Sequence, residues 1–319
     1  MNETRDYSFD VMKGIGIFLM VTGHTLGPES PVHSYIYAFH MPLFFLVSGY
    51  FTKEKDTFKN IISLFNRLIK PFLLIAIIVV STKTIHDYVL SHSFKIDFDI
   101  IGHGIGPGWF LLALFWGKII FNYLLKYFPN QYLLISFIVS AIPLLFRYLY
   151  PIYIPLCVLH GMSCTIFLAI GYYAKQKHVL QLMRKHIQLC ILISMIFWLN
   201  TSIYGLVEMS DNYFKLWVID YLGAIGGTFL CYCLAHFIVI HFSLLSRLLT
   251  TVSIFSLAIY TFHSIDFCIP LWHWIKPIVG SDNLVYYVLF ARFLLFCPII
   301  WVTSHIPVLY RLFVGKNKK

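Results

Sequence analysis

Residues 10–25 read DVMKGIGIFLMVTGHT, an almost continuous apolar stretch that keeps an acid at Asp10, an amine at Lys13 and an imidazole at His24. Eleven residues separate Lys13 from His24, which is three helical turns with about 20° left over. The two therefore share one helix face, about 16 Å apart along the axis. Asp10 lies three residues before Lys13, the spacing of an ion pair on one turn. Imidazole titrates near neutrality, so His24 is suited to take a proton from a hydroxyl, with an acylated imidazole as the nucleophilic variant. A plainer reading makes Asp10 and Lys13 interfacial anchors and His24 an outer cap. Charge buried this deep is costly and usually lines a functional path, which favours the chemical reading. Gly14, Gly16 and Gly23 on the same helix admit either a ligand or a neighbouring backbone.

Other residue types extend this chemistry. Arg67 and Lys70, three apart in NRLIKPF, can sit on one face as a phosphate grip. Ser48, Trp109 and Tyr260 are candidate donors for a developing oxyanion. Ser48 is equally a hydroxyl back-bonded to its own helix, and Trp109 equally an interfacial belt residue. His40 precedes Pro42, and the pair is expected to kink its helix and free carbonyls. Its imidazole is assigned to acceptor binding, against simple hydrogen-bonded packing. His263, Asp266 and Asp220 are further polar groups in apolar surroundings, any of which could orient His24 or bind ligand. His160, His236 and His241 lack metal-ligand company, and no metal is expected.

These groups need a scaffold, and composition indicates which. The 319 residues are 59% hydrophobic and only 12% charged, against about 25% charged in soluble domains. Apolar windows of about 20 residues, each enough to cross about 30 Å of hydrocarbon, recur along the whole chain. The expected fold is all-α: one polytopic membrane bundle over residues 1–319, with about ten transmembrane helices. The spans begin near Ser8, Tyr35, Leu68, Trp109, Gln131, Ile154, Ile187, Trp217, Ile254 and Val285. With the N-terminus inside, the cytoplasmic loops hold 16 Lys and Arg against 5 outside, which predicts both termini cytoplasmic. The net charge of +10 then reflects loop bias, and no nucleic acid partner is expected. The first apolar run follows acidic Glu3, Asp6 and Asp10, so it reads as a retained helix, not a cleaved signal. The seven cysteines fall in or beside apolar spans and read as small buried side chains. GHGIGPGW, residues 102–109, lacks the Lys-Ser/Thr of a phosphate loop; it is either a re-entrant gate or a turn-rich loop.

The Lys13-x10-His24 stripe resembles the basic-x10-His signature of the acyltransferase 3 family of integral-membrane O-acyltransferases. AFHMPLFFLVSGYF (38–51), NRLIKPF (66–72), GWFLLALFW (108–116), YIPLCVLHGM (153–162) and FSLAIYTFHS (255–264) are similar to family sequence in the same order. They extend over almost the whole chain, and the compact fucose 4-O-acetylase-like subgroup is the nearest in character. The family often has Arg where this chain has Lys13 and Lys70, so the bidentate fork is lost at both.

The resemblance implies transfer of an acyl group, usually acetyl, from cytoplasmic acyl-CoA to a hydroxyl of a surface carbohydrate or its lipid-linked precursor. Acetyl-CoA would be a co-substrate, with no resident cofactor, and the location a bacterial inner-membrane type of cell membrane among lipids. His24 would be the base, with Ser48, Trp109, Tyr260 and His263 about it. Lys13, Arg67 and Lys70 would meet CoA, and His40 and Asp10 the acceptor. A secondary transporter or flippase would also bury Lys, His and Asp, although no internal repeat is visible. A non-catalytic membrane sensor is the third reading.

Overall fold

The computed structural model describes residues 6–53, 57–92, 99–149, 154–269 and 284–315. Arg5, Lys55, Lys95, Lys276 and the last three lysines of the charge tally lie outside them. The chain is helical almost throughout. In order the helices are α1 (Tyr7–Leu26), α2 (Pro31–Tyr37), α3 (His40–Tyr50), α4 (Thr57–Leu64), α5 (Lys70–Ser91), α6 (Asp99–Gly102), α7 (Trp109–Tyr127), α8 (Tyr132–Leu149) and α9 (Val158–Gln176). They continue as α10 (Val179–Lys185), α11 (Ile187–Tyr204), α12 (Val218–His241), α13 (Ser243–Ile254), α14 (Ser256–Cys268), α15 (Leu284–Leu294), α16 (Phe296–His305) and α17 (Pro307–Phe313). One small hairpin, β1 (Val207–Glu208) with β2 (Tyr213–Phe214), joins α11 to α12.

Among the described residues, six helical stretches are long and apolar enough to cross a membrane, or seven if the bent pair α13–α14 counts as one span. That is fewer than the ten apolar windows. Three windows make the difference from seven: the one from Tyr35 is broken into the short α2 and α3, and α1 and α9 are helical over their windows but carry polar residues inside the bundle. α1 packs against α2, α3, α12, α13, α14 and α15, and α9 against α3, α7 and α8. Helices enclosed by protein need no lipid-facing apolar surface, and these two carry Ser, Thr, Gly and Cys among their buried residues. Close approach depends on glycine: a Cβ on Gly14 would stand 2.3 Å from the carbonyl oxygen of Leu249, and one on Gly171 2.0 Å from that of Leu46.

Three local departures from straight helix shape the site. The chain breaks at Ala38–Phe39, so Pro42 falls in the first turn of a new helix, where its missing N–H costs nothing. The kink expected at His40-Met41-Pro42 is thus a helix boundary, and His40 Nδ1 lies 3.2 Å from Ile36 O, a carbonyl that also accepts from Phe39 N–H. Phe65–Ile69 form a π-helical turn between α4 and α5, a widened geometry frequent at functional sites. α13 and α14 meet at Phe255 with a bend of 67°.

Candidate active site

α1 presents one continuous face to internal space. Asp10, Lys13, Ile17 and Met20 line a cavity of about 1760 Å³ at one end of the bundle. Met20 and His24 line a second, of about 270 Å³, at the other. Met20, Met41 and Tyr260 belong to both walls, so the cavities meet there. The steps of three and four residues from Asp10 to His24 keep all five side chains on one stripe. Gly14, Gly16 and Gly23 are on neither wall; they pack against Leu249, Phe44 and Tyr37. Helix contact explains these glycines.

The larger cavity is basic. Among the described residues, Lys13, Lys53, Lys59, Arg67, Lys118 and Arg311 line it, against the single carboxylate of Asp10. Asp10 Oδ1 is 3.0 Å from Lys13 Nζ, the ion pair expected from their spacing. Lys118 Nζ donates to Ser48 O at 2.7 Å and to Thr52 Oγ1 at 2.6 Å, fixing a cation on α7 against the end of α3. The π-turn brings Asn66 and Arg67 to the wall, whereas Lys70, where α5 begins, is not on it. The proposed Arg67–Lys70 pair is therefore split. Ser48 lines this basic cavity and not the one that holds His24.

The smaller cavity gathers imidazoles. His24 Nδ1 is 3.1 Å from His263 Nε2, the rings stacked with 14° between their planes. In a neutral pair one of these nitrogens donates and the other accepts. The bend at Phe255 and the course of α14 deliver His263 to this contact. Next to it, Arg292 on α15 places Nε 2.7 Å from Asp266 Oδ2 and Nη1 2.8 Å from Thr25 Oγ1. Asp266 thus serves a buried guanidinium that also holds the residue after His24. Asp220 instead accepts from the backbone N–H of Leu216 (2.8 Å) and Leu206 (3.4 Å), tying down the loop that carries the hairpin.

His40, 1% exposed, lines the same cavity with its ring 6.3 Å from that of His24. Its Nε2 is buried without a hydrogen-bond partner. Trp109 also lines it, its ring 5.6 Å from His160. The Tyr260 hydroxyl donates to Pro107 O, so its proton closes α14 onto the glycine turn and is not directed at the cavity. That turn, GHGIGPGW, is tightly built. Gly104 and Gly106 have φ of +87° and +53°, and buried Ile105 shares the left-handed region. A Cβ on Gly104 would meet Trp109 Cα at 2.6 Å. It is a packed wall of the site.

Glu208, Lys118 and Arg292 take part without having been singled out in the sequence. Lys118 and Arg292 did leave a signal, each being an isolated cation inside an apolar run (FLLALFWGKIIFNYLL and VLFARFLLF). Glu208 left none, since an acid between two apolar windows reads as an ordinary loop charge.

Geometry thus defines an all-α membrane protein with a basic cavity and a partly buried imidazole pair meeting inside one bundle. Residues 6–305 match the sequence model described as Acyltransferase domain, and the chain belongs to this acyltransferase 3 family. It is similar to the nodulation protein NolL of Mesorhizobium japonicum, 29% identical over 175 residues that cover 47% of each chain. The NolL of Sinorhizobium fredii is 45% identical over 58 residues, 15% of this chain and 16% of the relative. The chain matches less than half the length of these curated relatives.

Proposed function

We propose that the protein is a cell-membrane O-acyltransferase that moves an acetyl group from cytoplasmic acetyl-CoA to a carbohydrate hydroxyl, with His24 as general base. The observation that carries this reading is the meeting of the two cavities at Met20, Met41 and Tyr260, with cations on one side and His24 on the other. CoA phosphates suit the basic cavity, and its volume suits an extended cofactor. The thioester arm then follows the wall of Ile17 and Met20 towards His24, along the stripe and not over the glycines. With His24 Nδ1–H donating to His263, Nε2 keeps a lone pair for the acceptor hydroxyl. His24 takes the hydroxyl proton, the oxygen bonds to the thioester carbonyl carbon, and the C–S bond breaks. The CoA thiolate leaves and recovers the proton from His24.

The test uses purified protein in nanodiscs with acetyl-CoA labelled on the acetyl group and a glycan extract as acceptor. In His24→Ala, transfer is expected to fall by about 10²- to 10⁴-fold while acetyl-CoA still binds. Undiminished transfer in this variant would remove His24 from the chemistry. Two opposed cavities meeting inside the bundle also fit a solute transporter. Glycan crossing sealed vesicles without acetylation, and no transfer from any acyl donor, would favour that reading.

A further inference from the structure

The smaller cavity has a second set of groups, distinct from the His24–His263 pair, that faces it from the loop side. Glu208 is held there by construction. The hairpin pairs Val207 with Phe214 and Glu208 with Tyr213. Its turn is anchored by Ser163 Oγ donating to Asn212 Oδ1 at 2.6 Å, and His160 Nε2 lies 2.7 Å from Ser210 O. Among the described residues, Glu208 is the one carboxylate on the cavity wall, its Oε1 accepting from Ser210 Oγ, and no lysine or arginine lines it. Burial pushes its carboxyl above the usual carboxylate range. His40 lines the same cavity, its Nδ1 turned to Ile36 O, leaving Nε2 as a buried acceptor without a partner. Tyr37 adds a ring 4.6 Å from that of His40, and Trp109 adds an indole.

Two acceptors on the wall of one cavity beside aromatic rings, with no lysine or arginine among the described residues of that wall, call for a ligand that donates hydrogen bonds and carries no negative charge. A hydroxyl-bearing ring meets both conditions, and an anion meets neither. We infer that Glu208 and His40 form an acceptor subsite for an uncharged sugar ring, entering from the end opposite the basic cavity, and that Glu208 selects against acidic sugars. The volume of about 270 Å³ suits one ring and not a chain of them. Glu208 acts here as a binding and specificity residue. The inference rests on the proposed transfer for the identity of this ring as acceptor, but the binding it describes does not require transfer.

The test is therefore binding first. Protein in nanodiscs is titrated with neutral methyl glycosides and with methyl glucuronide, followed by saturation-transfer NMR and by tryptophan fluorescence. The native chain is expected to bind at least one neutral glycoside at least tenfold tighter than the glucuronide. Glu208→Gln should narrow that preference at least fivefold, and Glu208→Ala should weaken neutral glycoside binding about tenfold. Acetyl-CoA binding is expected to be unchanged in both, which also shows that they fold. His24→Ala should still bind the glycoside. Equal binding of neutral and acidic glycosides, binding of neither, or a Glu208→Ala variant that binds like the native chain would overturn the inference. Selective binding without any acetyl transfer would sustain this subsite and sink the acyltransferase reading instead.

Discussion

At the scale of residues, the site is a chain of dependence. In the proposed mechanism His24 acts in the orientation that His263 and Thr25 allow, and Thr25 is held by Arg292, which is held by Asp266. Removing His263 leaves the base present but badly aimed, and a displacement of about 1 Å can cost about 10²-fold in rate. His263→Ala should therefore lower kcat by on the order of 100-fold with the KM for acetyl-CoA within twofold; an unchanged kcat would show that His24 is oriented without it. Arg292 and Asp266 are a nearly buried pair, their side chains 10% and 13% exposed. Breaking such a pair leaves an uncompensated charge and costs about 3–5 kcal/mol, whereas replacing both partners with apolar groups can be close to neutral. Arg292→Met is thus expected to lower the melting temperature sharply in detergent, and adding Asp266→Leu to restore most of it. If the double variant melts no higher than the single one, the pair is not the source of the loss.

At the scale of elements, the question is which helices must touch and how closely. Gly171 on α9 lies so near the backbone of α3 that any side chain would push the two apart, since backbone cannot swing aside. Gly171→Leu should cost at least about 1–3 kcal/mol, measured as a fall in melting temperature and in yield of folded protein. Gly27, with open space about it, φ +71° and ψ 175°, is the comparison: Gly27→Ala meets only backbone strain, about 1–3 kcal/mol, with no helix to push aside. A Gly171→Leu variant that melts no lower than the native chain would argue against the packing account. This is also the scale at which the sequence was most and least legible. The stripe from Asp10 to His24 could be read because helical periodicity alone decides which residues share a face, and the i,i+3 ion pair followed from the same rule. The partnership of His24 with His263 could not, because 239 positions separate them and only tertiary packing sets that contact. Apolar windows likewise report hydrophobicity without saying whether lipid or protein surrounds the helix, and α1 and α9 are the two that protein surrounds. The π-turn left no readable signal either. Arg67 and Lys70 at a spacing of three imply one face only if the turn between them is α-helical, and here it is not.

At the scale of the whole molecule, the fold separates two chemistries that would interfere in one pocket. On the proposed reading, cations concentrated at one end attract a phosphate-rich donor, and would bind it unproductively if they also lined the cavity of His24. Keeping them about three turns away along α1, with Met20, Met41 and Tyr260 between, would let only the acyl end approach His24 in that reading. Donor affinity should then be carried by residues on the basic wall, in proportion to their place on it. Arg67 lines the wall and Lys70 does not, although both are exposed cations of the same short segment. A hydrogen bond to a charged group contributes about 1.5–3 kcal/mol, so Arg67→Ala should raise the KM for acetyl-CoA roughly ten- to hundredfold with kcat little changed. Lys70→Ala should raise it no more than about threefold, the residual effect of a screened charge. The difference should shrink as salt rises from about 0.05 to 0.5 M, because added ions weaken the contribution of an exposed cation. Equal effects from the two substitutions would mean that the α4–α5 turn meets the donor as a regular helix does, and that the π-turn does not set the grip on phosphate.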